Sequence, residues 1–128
     1  MDERRRGDGR SGPVSAEDLK LVTLARGARL RAHAPHTGVP EGAAVRDTDG
    51  RTYAAATVEN ADPSLSTSAL RGAVSAAASS GIRTFEAAAV VTEALPSEAD
   101  LAVLREFGVG LPVLVAGPDG QVRETLST

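Results

Sequence analysis

The side chains in this sequence that could do chemistry are few: His33 and His36, Thr57 with Glu59, Ser68, and the group Ser97, Glu98 and Asp100. His33 and His36 stand three apart, a spacing that suits a metal only when one helix carries both and a third ligand joins them. Pro35 breaks such a helix and no third ligand is spaced to complete a set, so a hydrogen-bonded or exposed pair is expected. Ser97 and Asp100 have the spacing of a capping box, in which a hydroxyl and an acid satisfy the free N–H groups that open a helix. Glu98 and Asp100 beside a histidine would instead be the material of a hard-metal site. Glu59 can cap the turn after it, pair with Arg71, or accept hydrogen bonds from a ligand. No Gly-rich phosphate loop, Ser-His-Asp set or recognisably spaced carboxylate pair occurs elsewhere. The sequence contains 0 Cys, which removes disulfides, thiolate nucleophiles and every cysteine-based metal site together.

The elements that must position these residues follow from periodicity and punctuation. Ser15 and Asp18 form a capping pattern, and Leu21, Leu24, Ala25, Ala28 and Ala32 share one helical face, which predicts a helix over 15–33. Pro35, Gly38 and Pro40 make 34–42 a loop. Extended runs over 43–47 and 52–58 meet at Asp49-Gly50, a hairpin signal. The Ala-rich stretch 67–80 ends at Gly81 and predicts a second helix. Residues 85–91 are apolar except for Glu86, as in a strand covered on both faces, so this is the expected central strand. A third helix opens at Pro96-Ser97 and closes at Gly108, and strands over 112–116 and 121–126 flank the turn Pro118-Asp119-Gly120. The order helix, hairpin, helix, strand, helix, strand, strand demands an α/β fold in three layers, α/β/α, with a mixed five-stranded sheet and helices on both faces.

Composition bounds what such a domain can do. The 128 residues suit one domain, placed at 15–128, with 1–14 read as a disordered tail because it is almost without apolar residues. Arg4, Arg5 and Arg6 in that tail would offer a basic handle to an acidic partner, but Asp2, Glu3 and Asp8 offset it. Aromatics make up 2% of the chain, Tyr53, Phe85 and Phe107 alone, so Ala, Val and Leu must fill the core and oligomerisation would help stability. A net charge of -3 gives no reason to seek nucleic acid. No apolar run approaches the roughly 20 residues of a membrane span, and 1–14 holds no signal-peptide stretch, so a cytoplasmic protein is expected.

Several stretches, taken together, resemble a known family. Ala34-Pro35-His36-Thr37-Gly38-Val39-Pro40-Glu41-Gly42-Ala43-Ala44-Val45, then Val58-Glu59-Asn60-Ala61, then Pro96 through Gly108, Pro112-Val113 and Pro118-Asp119-Gly120 are similar in order and spacing to the small homotetrameric, zinc-dependent cytidine deaminases. The likeness spans about 19–120 and implies the cytidine-deaminase-like fold. In that family a Cys-Ala-Glu motif opens the second helix and a Pro-Cys-x-x-Cys motif the next, and the three cysteines hold zinc. Here the motifs read Ser68-Ala69-Leu70 and Pro96-Ser97-Glu98-Ala99-Asp100. Deamination of this kind needs zinc to acidify a water and a glutamate to carry protons. A serine hydroxyl is a poor zinc ligand, one carboxylate does not replace three thiolates, and Leu70 carries no proton. The resemblance therefore implies a degenerate member, a pseudoenzyme with no catalytic residues, no zinc and no other cofactor, in which Ser68, Ser97 and Asp100 cap helices instead.

The same resemblance outlines a pocket. The family's Asn-x-Glu, which contacts ribose hydroxyls, reads Thr57-Val58-Glu59 here, so Glu59 keeps its part and Thr57 at best one hydrogen bond. Val39 replaces the aromatic that packs on the pyrimidine, a loss of about 0.5–1.5 kcal/mol of stacking. Glu41 replaces a small apolar residue and is either a second carboxylate near the mouth or a solvated loop side chain. Relatives continue into a further helix that covers a neighbouring subunit's site, so a more open pocket is expected, and a homodimer or homotetramer with it. The function expected is an oligomeric binding or interaction module with a protein partner and without deaminase activity. Alternatives are a nucleoside or small-molecule sensor, an enzyme with metal-free chemistry on Glu59, Glu98 or Asp100, and a wall supplied to an active deaminase in a mixed oligomer.

Overall fold

A computed structural model describes residues 14–128, so the tail expected over 1–14 lies, apart from Val14, outside the described residues. The first helix, α1 (Ala16–Arg29), is opened by Ser15, whose hydroxyl accepts from the amide of Asp18, with Glu17 and Asp18 at its positive end. It stops a turn before the expected 33. The His33 amide donates to the carbonyl of Thr57 and the His33 carbonyl accepts from Glu59, so pairing with the 57–59 segment captures the chain before another helical turn forms.

Strands β1 (Gly42–Asp47) and β2 (Thr52–Ala56) form the expected antiparallel hairpin. Its turn is held by the Asp47 carboxylate, which accepts from the amides of Asp49 and Arg51, while Gly50 takes φ +89°, a conformation costly for other residues. A 3-10 turn over Pro63–Leu65, capped by Asp62, was not legible from periodicity. Helix α2 (Ala69–Ser79), central strand β3 (Phe85–Val91), helix α3 (Glu98–Arg105) and strands β4 (Pro112–Ala116) and β5 (Val122–Ser127) complete the domain. The sheet order is β2-β1-β3-β4-β5, with β3 parallel to β4 and all other pairs antiparallel.

Two cores flank this mixed sheet. Leu21, Val22 and Ala25 of α1 cover one face, against Ala44, Ala87, Ala89, Val91 and Leu114. Leu70, Ala73 and Val74 of α2, with Leu101 and Leu104 of α3, cover the other, against Ala43, Val45, Ala88, Val90 and Val113. Phe85 and Phe107 meet edge to face there, ring centres 5.6 Å apart. With so much alanine the layers approach closely: a Cβ on Gly42 would run into the backbone of Ala25 and Arg29. No helix among the described residues is long and apolar enough to cross a membrane.

The register also places the site. Gly42 pairs with Ala56 on one side and Val91 on the other, so Glu41, Thr57 and Thr92 leave the sheet together at one end.

Candidate functional site

At that end lies a cavity of about 470 Å³, walled by residues of the loop before β1, the stretch after β2 and the first turns of α2 and α3. Each helix opens on a serine with extended backbone. Ser68 accepts from the Arg71 amide at 3.3 Å and Ser97 from the Asp100 amide at 3.1 Å, so both expected caps form. The capping box expected at Ser97 is only half made. The Asp100 carboxylate, 7% exposed, accepts a 2.8 Å hydrogen bond from the Ser68 hydroxyl instead of turning back to its own helix. That bond ties α2 to α3. Leu70 is 1% exposed in the core and does not wall the cavity.

Glu59 meets neither Arg71 nor the following turn, contrary to both structural roles expected for it. Its carboxylate reaches back across the chain: one oxygen accepts from the amides of His36 and Thr37, the other from the Thr37 hydroxyl. Those donors, the Thr37 hydroxyl first and then the two amides, hold its pKa below the usual carboxylate range. The Thr37 hydroxyl in turn accepts from the Val39 amide, so Glu59 shapes the whole 36–39 wall, with Val39 partly exposed on it. The Thr57 hydroxyl is committed to the backbone of Glu41, accepting from its amide at 3.0 Å and donating to its carbonyl at 3.3 Å.

Glu41 resolves in favour of the cavity. One carboxylate oxygen accepts from the hydroxyl of fully buried Thr92 at 2.7 Å. Desolvation raises its pKa and the nearby charge of Asp100 adds to the rise, against the lowering effect of the Thr92 hydrogen bond. Sequence reasoning passed over Thr92 entirely. The signal was the register: residues just outside the paired Gly42 and Val91 must be neighbours.

Other candidates are not brought here. Glu98 faces solvent in an ion pair with Arg105, and His33 contributes backbone pairing to the 57–59 segment. His36 and Arg71 do wall the cavity. Among the described residues, no group of three or more His, Asp or Glu is disposed to hold a metal ion.

Comparison with known proteins gives this site its context. A sequence model of the cytidine deaminase-like family matches residues 14–120. A cytidine deaminase of Sporosarcina psychrophila is 35% identical over 111 residues, 83% of this chain and 82% of that protein. The crystal structure of cytidine deaminase from Burkholderia pseudomallei superimposes with a TM-score of 0.78 at 35% identity, covering 84% of this chain and 90% of that one. The cytidine deaminase of Mycobacterium leprae follows at 0.74 and 26%, covering 89% and 94%. With the three-layer fold and the cavity at the helix openings in place, the chain belongs to the cytidine deaminase-like family.

Proposed function

We propose that this chain is a zinc-free member of its family, a binding protein built on the deaminase fold rather than a deaminase. The carrying observation is the Ser68–Asp100 hydrogen bond. At the two helix openings where the family resemblance places three thiolates, the chain offers two hydroxyls already used as caps and one carboxylate already accepting from one of them. That donor set does not fit zinc, which takes anionic sulfur or imidazole here and gains little from neutral hydroxyls. Leu70, at the position of the proton-carrying glutamate, supports the reading independently because a buried alkyl chain exchanges no proton. Overall similarity at 35% identity favours a deaminase; the donor set weighs against it.

The test is metal content and turnover of protein produced in zinc-supplemented medium. The expected result is far less than one zinc per chain and no ammonia released from cytidine. Near-stoichiometric zinc with ammonia release overturns the proposal.

The cavity favours a small-molecule ligand over a purely structural role. A carboxylate has about four lone-pair positions, and Glu59 spends three on the 36–37 loop, which leaves one for a ligand hydroxyl. Nucleosides are the first compounds to try, in a thermal-shift series of cytidine, uridine, adenosine and their monophosphates. A ligand at 100 times its dissociation constant adds roughly 2.7 kcal/mol, and Glu59→Ala should abolish the shift. Assembly as a homodimer or homotetramer is part of the same proposal, read by light scattering; a monomer at all concentrations counts against it.

A further inference from the structure

We infer that Thr37 is a positioning residue of the cavity: its hydroxyl fixes the direction in which Glu59 offers its remaining acceptor position to a ligand hydroxyl. This rests on the reading of the cavity as a binding site and adds the residue that makes it selective for a hydroxyl donor.

Thr57 and Glu59 stand in the same wall, but they differ in what they have left to offer. The Thr57 hydroxyl accepts from the Glu41 amide and donates its proton to the Glu41 carbonyl, so its donor is spent. Recognition of a ligand hydroxyl therefore falls to Glu59, which is 8% exposed. Two of its three hydrogen bonds, from the amides of His36 at 2.9 Å and Thr37 at 3.2 Å, land on one oxygen. The last torsion of a glutamate is broad, so bonds to one oxygen leave the other free to swing. Among the described residues, the Thr37 hydroxyl alone donates to that second oxygen and stops the swing.

Thr37 is itself held so that its proton points one way. Its oxygen accepts from the Val39 amide at 3.1 Å, which leaves the proton for Glu59. Gly38, at φ +72°, lets the chain turn so that the Val39 amide meets that hydroxyl. Branching at Cβ restricts the rotation of a threonine side chain, so the hydroxyl does not wander. The same bond is the first cause of the lowered pKa of Glu59, which keeps the carboxylate ionised and able only to accept. A carboxylate set in place before the ligand arrives spares the cost of ordering it on binding, about three- to tenfold in affinity.

Isothermal titration of the full chain tests this with cytidine and with dideoxycytidine, which lacks both ribose-ring hydroxyls. Thr37→Val should weaken cytidine about three- to tenfold, Thr37→Ser should stay within about twofold of the native chain, and dideoxycytidine should bind all three proteins alike. In a carboxyl-carbon NMR titration, Glu59 should ionise at higher pH in Thr37→Val than in the native chain or Thr37→Ser. Thr37 is exposed, so neither substitution opens the core, and amide spectra check the fold. Equal weakening of both nucleosides means a merely structural role and overturns the inference. So does tighter cytidine binding by Thr37→Val, which would show the hydroxyl competing with the ligand. Cytidine binding that Thr37→Val leaves unchanged removes this inference alone; no nucleoside binding by the native chain removes the binding reading and this inference with it.

Discussion

The Ser68 hydroxyl donates to the Asp100 carboxylate at 2.8 Å, and through that bond the first turns of two helices from separate parts of the chain are held together. Ser68 also caps its own helix. Ser68→Ala therefore removes a cap and leaves a buried carboxylate without its donor, at a combined cost of about 2–4 kcal/mol. Ser97→Ala removes only a cap and costs about 1 kcal/mol. A double-mutant cycle of Ser68→Ala with Asp100→Ala, read by chemical denaturation, should show coupling of about 1 kcal/mol. Additive losses would mean the bond does not join the helices.

Leu70 belongs to the core on the α2 face and not to the cavity. Leu70→Ala should cost about 2–5 kcal/mol by opening a void, and Leu70→Glu more, because it buries a charge with no partner. Neither substitution should change cytidine turnover from its expected zero. Ammonia release by Leu70→Glu alone would show that a metal-bound water was already waiting for a proton carrier.

How much of this was legible in the sequence depends on the range of the interaction. Strands β3 and β4 and the turn at Gly50 were readable because local pattern decides them: an apolar run bounded by polar residues, and a glycine where φ must be positive. The end of α1 was not, since the pairing that captures His33 comes from residues 57–59, far along the chain. The same holds in the cavity. Ser68 and Ser97 were readable as caps because a cap acts within three residues, whereas the turn of Asp100 toward Ser68 crosses 32 positions. Glu59 stands in the wall of the cavity, but its partners lie 22 and 23 residues earlier in a loop whose path no periodicity describes. Glu41 stayed ambiguous for want of Thr92, 51 residues away.

Glu59 gives the domain an acid-sensitive wall. The Thr37 hydroxyl and the amides of His36 and Thr37 hold its folded pKa below the value of an unfolded glutamate. A carboxylate so lowered contributes stability that is present above about pH 4.3, its unfolded value, and is lost as pH falls through its folded pKa. Melting temperature should thus fall more steeply with acid in the native chain than in Glu59→Gln, and the Thr37 amide should lose protection from hydrogen exchange over the same range. Parallel pH profiles for the two proteins would remove Glu59 from the account.

Helix α1 packs tightly on the sheet at Gly42, in contrast to Gly27, a difference that a single methyl group can probe. A Cβ on Gly42 meets the carbonyl of Ala25 and the backbone of Arg29, which cannot yield without moving the helix off the strand. Gly27, in the same helix, has open space where its Cβ would stand. Gly42→Ala should therefore cost about 3 kcal/mol or more through overpacking, enough to displace the wall that begins at Glu41 and weaken any cavity ligand. Gly27→Ala should stabilise by up to about 1 kcal/mol through helix propensity alone and leave binding unchanged. The two variants add the same methyl to the chain, so opposite shifts in denaturation midpoint would isolate interlayer spacing as the cause, and shifts of the same sign would argue that α1 does not pack on β1 this closely.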